Sequence, residues 1–322
     1  MTAYTGIQGQ NILIVSSDPA NPTEGQIWYN STSNLLKGYA NVVTNAWASG
    51  GNLPSAVNGI TAFGTQTATI AFGGGYPTTT LSYNGTAWSS LPATVANGSY
   101  YAGAAGIATA ALKIGGEYSG TAYATGVESW NGSIWTSSPS LNTGRSFNAA
   151  NGTQAAAITT GGQTAPSPGG TNSTEIWNST AWTASGNYPA SRNGMYSVGT
   201  QTATLCFAGG ASVSTDSNTF NGSTWTAAPN MNTARYMLGG AGTQTAALAY
   251  GGLIPPVSAA TESYNGVAWT SVPSLSVGRR SYGSSGSQTA ALYAGGDAGP
   301  ASTDSTEEWT GASLATRTIT TS

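Results

Sequence analysis

Three observations in the sequence predict an all-β protein built as a six-bladed β-propeller. Only 6% of the 322 residues are charged, whereas Gly (45), Tyr (16) and Trp (10) are abundant, a mixture that suits short strands and turns better than helices. A short Ala/Thr-rich strand ending in Gly-Gly occurs six times, and its second glycine stands at 74, 116, 162, 210, 252 and 296. An octapeptide such as "ESYNGVAW" alternates with that strand. Repeats of this length and strand-like composition are typical of propeller blades.

Each repeat is interpreted as four strands. The innermost follows the link between blades ("SFNAANGTQ"), the second is the Ala/Thr run, the third is "TEIWN" or "ESYNG", and the fourth begins near the Trp. Asn-Gly between the last two strands is the favoured pair for a tight type I′ turn, in which both central residues have positive φ. Bulky side chains fill the rim where outer strands diverge, so we expect five tryptophans to be scaffold: Trp88, Trp135, Trp182, Trp225 and Trp269.

Charged residues recur at fixed offsets from these tryptophans. Arginines stand ten residues after the Trp, at Arg145, Arg192, Arg235 and Arg279, and glutamates seven before it, at Glu128, Glu175 and Glu262. A ring of arginines would bind an anion. The alternative is structural, with Arg–Glu pairing and backbone bonding between blades, and repetition at a fixed offset favours it.

The first and last segments are expected to meet in one blade. The sixth repeat ends "STEEWTGASL" without a Trp after its turn, and Asn45–Pro54 ("NAWASGGNLP") matches the missing strand. We therefore predict that this N-terminal strand closes the ring and leaves no open seam. The tail "TRTITTS" is expected to add to the same blade, beside that strand or in its place. Residues 1–40 lie outside the repeat and are predicted to form an extended arm and a β-hairpin for attachment, and residues 41–322 the propeller.

Composition excludes several classes of function. The net charge of −3 without a basic patch argues against nucleic-acid binding. No apolar run of about 20 residues predicts membrane insertion, and the start lacks the basic region of a signal peptide. The absence of histidine removes imidazole metal ligands and the commonest general base. Cys206 lies in an apolar run and is expected to be a buried small residue.

Enzyme activity, a cofactor and a metal are not expected. Sialidase boxes share only the Gly and Trp end of "NGSTW". A glycosidase pair could be sought among Asp297, Asp304, Glu307 and Glu308, but solvation or turn capping explains them more simply. A Ca²⁺ site at Asp216, Asp297 and Asp304 lacks a supporting spacing.

The loops after Gly-Gly differ in length and content, whereas the Asn-Gly turns on the opposite face are nearly constant. Variable loops on a constant scaffold predict the recognition surface, and Tyr, Ser, Gly and Thr suit adaptable contacts. The candidate binding residues are Tyr76, Tyr118, Tyr123 and Asp297. Solvated loops without a ligand are the alternative.

Three resemblances add to these inferences. The repeat over residues 45–322, with its hydrophobic strand, Gly-Gly, aromatic residue and Trp, resembles kelch-type repeats. The segment "DPANPTEGQIWYNSTSNLLKGY" is similar to a hairpin of bacteriophage tail and tail-fibre proteins, and the low-charge "TQTAALAYGG" repeats are similar to propellers of marine phages. These resemblances imply a non-enzymatic virion structural protein, assembled in the host cytoplasm and then extracellular.

Such a protein would be a tail-fibre or tail-tip component or a surface decoration. It would bind other virion proteins through residues 1–40, as part of a multimeric assembly, and a host-surface glycan or protein through its loops. The alternative is a secreted or cell-surface carbohydrate-binding protein of the lectin kind.

Overall fold

The computed structural model describes residues 12–41, 45–74, 78–96, 99–118, 123–165, 169–210, 213–280, 283–312 and 314–319. These residues form 28 β-strands and no α-helix, which confirms the all-β prediction. No helix suitable for crossing a membrane is found among them.

The strands have the following bounds. The first eight are β1 (Leu13–Val15), β2 (Ile27–Asn30), β3 (Leu35–Asn41), β4 (Ala46–Ser49), β5 (Ile60–Thr65), β6 (Ala68–Gly73), β7 (Thr79–Tyr83) and β8 (Trp88–Thr94). The next eight are β9 (Gly103–Ile107), β10 (Ala110–Ile114), β11 (Val127–Trp130), β12 (Trp135–Ser138), β13 (Ala149–Gly152), β14 (Ala157–Thr160), β15 (Thr174–Trp177) and β16 (Trp182–Ser185). The last twelve are β17 (Tyr196–Thr200), β18 (Ala203–Phe207), β19 (Ser217–Phe220), β20 (Trp225–Ala228), β21 (Gly239–Gly242), β22 (Ala247–Tyr250), β23 (Thr261–Tyr264), β24 (Trp269–Val272), β25 (Ser284–Gly286), β26 (Ala290–Ala294), β27 (Thr306–Thr310) and β28 (Leu314–Thr318).

The described strands form seven four-stranded sheets. Five are successive antiparallel meanders, named sheet I (β5–β8), sheet II (β9–β12), sheet III (β13–β16), sheet IV (β17–β20) and sheet V (β21–β24). Sheet VI has the order β25-β26-β27-β4, so the predicted N-terminal strand does pair with the sixth repeat. The seventh, the N-terminal sheet, has the order β1-β2-β3-β28.

The first strands of sheets I–VI are neighbours of one another. β5 contacts β9, and the series continues through β13, β17 and β21 to β25, which contacts β5. Small residues permit this close approach: a Cβ at Gly240 would lie 2.8 Å from the ring atom Cζ of Phe207 in the adjacent sheet. The Ala, Gly and Ser content of these strands is therefore a packing requirement.

The chain divides into two compact units, residues 46–309 and a second unit of residues 1–45 with 310–322. The tail strand β28 belongs to the second unit, because Leu314–Thr318 pairs antiparallel with β3. The described part of the tail therefore pairs in the N-terminal sheet, which corrects our prediction that the tail adds to the last blade. Inside the N-terminal sheet, β2 and β3 form the expected antiparallel hairpin, and β1 pairs parallel with β2.

Asp18 is an exposed residue that gathers the polar contacts of the N-terminal sheet. Its carboxylate accepts hydrogen bonds from Trp28 Nε1 (3.1 Å), Asn30 Nδ2 (2.7 Å) and Lys37 Nζ (2.7 Å). These donors, Lys37 first, lower the pKa of Asp18 from 3.8 to about 2. One carboxylate thus joins the segment before β2 to both strands of the hairpin.

The N-terminal sheet is expected to loosen in acid. A carboxyl group whose pKa is depressed on folding stabilises the fold fully above its unfolded value, here 3.8, and that stabilisation is lost as the pH falls through about 2. We expect hydrogen-exchange protection of β2 and β3 to fall between those values. Asp18→Asn should abolish this dependence, whereas Glu24→Gln, at an exposed position of the same segment, should preserve it. An unchanged profile in Asp18→Asn would contradict the assignment.

The Asn-Gly turns differ from the type I′ turn predicted. In sheet I, Tyr83 pairs with Trp88, which leaves a four-residue loop. Only the glycine of the pair has positive φ (Gly85, 91°), and Asn84 does not. The Asn84 Oδ1 accepts the backbone N–H groups of Thr86 (3.0 Å) and Ala87 (2.9 Å). The asparagine is needed because its side chain accepts these hydrogen bonds, which hold the loop without the positive φ that a type I′ turn requires.

In four of the six sheets of the 46–309 unit, a tryptophan of the fourth strand joins its sheet to the preceding one. Trp88 of sheet I donates from Nε1 to Thr306 Oγ1 of sheet VI (2.9 Å), and Trp135 of sheet II donates to Thr80 Oγ1 of sheet I (2.9 Å). The same bond joins Trp225 to Thr174 and, from β4, Trp47 to Thr261. Trp47 therefore takes the place of the Trp missing from the sixth repeat.

Sheets II and IV interrupt this series, because Trp182 and Trp269 lack the bond, and sheet II leads to a prediction of stability. Its equivalent of the threonine is Val127, and the buried Nε1 of Trp182 has no hydrogen-bond partner among the described residues. Val127→Thr should supply one and raise the free energy of unfolding by about 1 kcal/mol, measured by chemical denaturation. Val95→Thr, at a buried site packed with Trp130 and Trp135, whose Nε1 groups already donate hydrogen bonds, should lower it. Loss of stability in both variants alike would contradict the prediction.

Glutamines that the sequence analysis did not single out also join the sheets. Gln154, in the turn between β13 and β14, donates from Nε2 to the backbone carbonyl of Trp130 in sheet II (2.6 Å). Gln66, Gln201, Gln244 and Gln288 make equivalent bonds to the preceding sheet. Ala108 occupies this position in sheet II. The repeated "TQT" in the sequence could have indicated that these glutamines have a common structural role.

Candidate recognition site on the loop face

Three of the four recurring arginines are buried in ion pairs. Arg145, Arg235 and Arg279 are 0% exposed. Their guanidinium nitrogens lie 2.7, 3.0 and 2.6 Å from carboxylate oxygens of the third strand of the following sheet, on Glu175, Glu262 and Glu307 respectively. Arg145 Nη1 also donates to the carbonyls of Gly161 (2.9 Å) and Ser173 (3.1 Å). These arginines anchor the links between sheets and are not accessible to an anion.

Sheets II and IV use other partners at the same place. In sheet II, Glu128 lies 3.3 Å from the buried Nζ of Lys113. The arginine in the link before a sheet is here called the link arginine, and Ser99 occupies its position before sheet II. In sheet IV, Arg192 is partly exposed and pairs with Asp216, while Asn218 Nδ2 donates to the hydroxyl of Tyr188 (2.8 Å). The arginine pattern in the sequence thus covers two different environments.

The links and the connections after Gly-Gly meet on one side of the 46–309 unit, here called the loop face. The residue after Gly-Gly forms an antiparallel bridge with the residue after the link arginine or its equivalent. The bridges are Tyr100–Glu117, Ser146–Gln163, Tyr236–Leu253 and Arg280–Asp297. The glycine pairs make this approach possible, since both members have positive φ, as at Gly161 (63°) and Gly162 (93°).

In five of the links, the next residue takes part in a chain of backbone hydrogen bonds, here called the collar. Each N–H donates to the carbonyl of the preceding member: Tyr101 to Gly59 (3.2 Å), Phe147 to Tyr101 (2.9 Å), Gly194 to Phe147 (3.0 Å) and Met237 to Gly194 (2.8 Å). All five residues have positive φ. A positive φ is unfavourable for residues with a side chain, such as Tyr101, Phe147 and Met237, and the collar hydrogen bonds stabilise this conformation.

Aromatic rings concentrate on one part of the collar. The rings of Tyr101 and Phe147 are stacked with centroids 4.0 Å apart, and Tyr100 stacks on Tyr101 at 5.4 Å. Tyr100 also lies against Gly59, where a Cβ would be 2.2 Å from its Cδ1 atom. All three rings are half-buried. Rigid, partly exposed aromatic rings bind ligands at a low cost in conformational entropy.

Polar groups continue this aromatic surface on the side of sheet VI. Asp297 accepts hydrogen bonds from Asn58 Nδ2 (3.0 Å), Arg280 Nε (3.1 Å) and Ser302 Oγ (3.2 Å). Asn58 directly precedes Gly59 of the collar. The Asp297–Arg280 pair is therefore built into the same surface as the three rings.

Glu117 completes the surface beside Tyr100, to which it is joined by two backbone hydrogen bonds of 2.8 and 2.9 Å. Burial raises the pKa of the Glu117 carboxyl, and no ion pair of Glu117 is found among the described residues. Burial, with the charge of Asp297 adding to it, raises the pKa of Tyr101 to about 12, so its hydroxyl is neutral near pH 7. Tyr100, Tyr101, Phe147, Glu117, Arg280, Asp297 and Asn58 are here called the collar cluster.

The predicted binding residues have different outcomes. Asp297 lies in the collar cluster, and Tyr118, half-buried, directly follows Glu117. Tyr123 is half-buried elsewhere in that connection. Tyr76 lies outside the described residues. The sequence analysis missed Tyr100, Tyr101, Phe147 and Arg280; the signal was "SYY" and "RR" where other links have a single arginine.

The carboxylates considered for catalysis or Ca²⁺ binding are separated by their partners. Glu307 is buried against Arg279, Glu308 accepts the hydroxyl hydrogen bond of Tyr83 (2.6 Å), and Asp297 binds Arg280. No cluster of three metal-ligating His, Cys, Asp or Glu side chains occurs in the described ranges. Cys206 is buried, and burial raises the pKa of its thiol.

No family model matches the chain, and no curated protein matches it. Among solved structures, the structure of YjhT aligns with a TM-score of 0.67 at 13% sequence identity, covering 82% of this chain and 99% of that chain. At this identity the likeness concerns the fold alone. Together with the all-β architecture of several four-stranded sheets, it fits a β-propeller.

Proposed function

We propose that the protein is a non-enzymatic virion component that recognises a host-surface glycan through the collar cluster. In this proposal sheets I–VI are the blades of a closed, kelch-like β-propeller. The contacts of the first strands from β5 to β25 and back to β5 support the closed ring, and the pairing of β4 with β27 supports its closure by the N-terminal strand.

The observation that carries the recognition role is the contrast between the two faces. The turns between third and fourth strands repeat the same Asn-centred hydrogen bonds, whereas the loop face gathers three half-buried aromatic rings beside a carboxylate and an Arg–Asp pair. A sugar ring has an apolar C–H face and a rim of hydroxyl groups. Aromatic faces next to a carboxylate acceptor and an amide match both parts of such a ligand.

The N-terminal sheet supports an attachment role. Its edge strand β1 has one neighbour among the described strands, β2, and exposes Leu13 (50%) and Ile14 (70%). Ile27 and Leu35 of the same sheet are also exposed. An unpaired apolar edge favours association with another protein. A carbohydrate-binding protein that acts alone has no need of such an edge, which favours the virion component over that alternative.

Electron microscopy of the source particle, with a labelled antibody against this chain, tests the virion role. We expect label at the tail, the fibres or the capsid surface, and its position separates a tail component from a decoration protein. Leu13→Ser with Ile14→Ser should reduce incorporation while leaving the purified protein folded. Label found only in cytosol, never on particles, would refute the virion role and leave the lectin alternative.

Binding of the full purified chain to host cells and to a glycan array tests the recognition role. Tyr100→Ala and Glu117→Gln should each weaken binding about tenfold, a loss of about 1.4 kcal/mol. Val267→Ser, at an exposed site (74%) in a third-to-fourth turn, should bind like the wild type. Treatment of the cells with periodate, which cleaves sugars, should abolish binding. Loss on protease treatment alone would indicate a protein ligand, and undiminished binding by Tyr100→Ala would exclude the collar cluster.

A further inference from the structure

Sheet I lacks the polar anchor found in the other five sheets of the 46–309 unit. Sequence register places Val57 at the link-arginine position and Leu81 at the position of Glu175, Glu262 and Glu307. A third change accompanies these two. In sheet III the backbone N–H of Asn142 donates to Glu175 (2.8 Å), and the equivalent residue is Pro54, which has no N–H.

A cavity of about 210 Å³ lies at this place. Its wall includes Gly73 and Thr79, the equivalents of the two residues whose carbonyls accept hydrogen bonds from Arg145 in sheet III. The cavity therefore corresponds to the space that a buried arginine side chain fills in sheets III, V and VI.

The wall is mainly apolar. Pro54, Val57, Ile60, Phe72 and Leu81 form most of it. Ile60 and Phe72 are each 1% exposed, whereas Val57 and Leu81 are half-buried, so the cavity reaches the surface. An apolar cavity of about 150 Å³ in another protein stays dry and binds benzene. This cavity is larger. Its polar wall residues, Ser55, Thr79 and Ser90, are uncharged, so a charged ligand would lose its solvation without meeting a counter-charge.

We propose that this cavity in sheet I is a binding site for a small, uncharged, apolar molecule, from benzene to indole in size. The coordinated loss of the cation, the carboxylate and the capping N–H removes every group that would demand a charged occupant. The site is separate from the collar cluster and does not depend on the proposed recognition function.

The test uses the full chain with benzene and indole as probes, followed by thermal unfolding and by nuclear Overhauser effects to methyl groups. We expect one bound molecule per chain, a raised Tm, and contacts from the probe to Leu81 and Ile60. Leu81→Phe should fill the cavity and weaken probe binding at least tenfold. The triple variant Pro54→Asn, Val57→Arg, Leu81→Glu should abolish it by restoring the anchor of sheet III.

Leu81→Phe remains informative if the triple variant does not fold. As a matched control, Leu36→Phe, in the N-terminal sheet, should leave probe binding unchanged. Equal binding by the wild type and Leu81→Phe, probe contacts confined to other residues, or no binding by the folded wild type would each overturn the proposal.

Discussion

Replacing Arg235 by valine is expected to lower the free energy of unfolding by about 3–5 kcal/mol, because it leaves a buried carboxylate without its cation. Arg235 is 0% exposed and Glu262 1%. Besides the ion pair of 3.0 Å, Arg235 Nη1 donates to the carbonyls of Gly251 (2.9 Å) and Ala260 (2.6 Å). Its removal therefore takes one donor from each of three acceptors, and it leaves the Glu262 carboxylate with only the backbone N–H groups of Asn232 and Thr233. Urea denaturation at neutral pH measures the loss.

The chain itself supplies the compensating substitution. Sheet I carries valine and leucine at the two positions, so Arg235→Val with Glu262→Leu should recover more than half of the lost stability. Recovery is incomplete because the Asn232 N–H, which donates to Glu262 (2.6 Å), loses its acceptor, and because valine is smaller than arginine. The double variant should also bind the apolar probe in sheet V.

A surface pair gives the matched control. Arg192 and Asp216 are partly exposed, with 19% and 43% of their side chains accessible, so Arg192→Val should cost only about 0–1 kcal/mol. If the double variant at Arg235 and Glu262 is as unstable as the single one, the loss comes from packing and the ion-pair interpretation is wrong.

Trp47→Ala is expected to lower the free energy of unfolding by about 3 kcal/mol, although Tyr250, Thr261 and Trp309, which Trp47 contacts, are distant from it in sequence. Its ring lies 4.9 Å from that of Tyr250 and 5.4 Å from that of Trp309. Its Nε1 donates to Thr261 Oγ1 (3.0 Å). Because β4 is the edge strand of sheet VI, the variant should also lower hydrogen-exchange protection of β27.

Trp225→Ala is the control for this prediction. Trp225 is also half-buried and makes the same Nε1 bond, to Thr174, but its strand follows directly from its own hairpin. We expect the two variants to lose similar amounts of stability. A nearly silent Trp47→Ala beside a damaging Trp225→Ala would show that β4 adds little to sheet VI and would contradict closure by the N-terminal strand.

Repeated features of the fold could be predicted from the sequence, because each repeat contains the same local physical requirement. Gly-Gly marks the positive-φ residues that leave the crowded inner strands, and Trp marks the outer strand that packs on the preceding sheet. The pairing of β4 with the sixth repeat could be predicted because that repeat lacks a Trp after its turn, whereas the N-terminal segment has an additional one, Trp47. The turn type was predicted wrongly because the side chain of Asn84, and not its backbone, determines that loop.

The tail and the candidate site depended on tertiary contacts. A tail with alternating apolar and polar residues is compatible with any open sheet edge. Only the pairing of β28 with β3 showed that it adds to the N-terminal sheet and not to sheet VI. The collar cluster brings together residues from the links before sheets I, II, III and VI, and its backbone bonds join positions that no sequence period marks as a site.

The sequence by itself determined the all-β class, the number of repeats and the scaffold role of the tryptophans, since these follow from local composition repeated at a constant period. Only the tertiary structure decided which deviations from the repeat matter. Val57 and Leu81 are ordinary apolar residues in the sequence, and they line a cavity because the buried arginine of sheets III, V and VI is absent from sheet I. Tyr100, Tyr101 and Phe147 become a surface because the collar places consecutive links side by side.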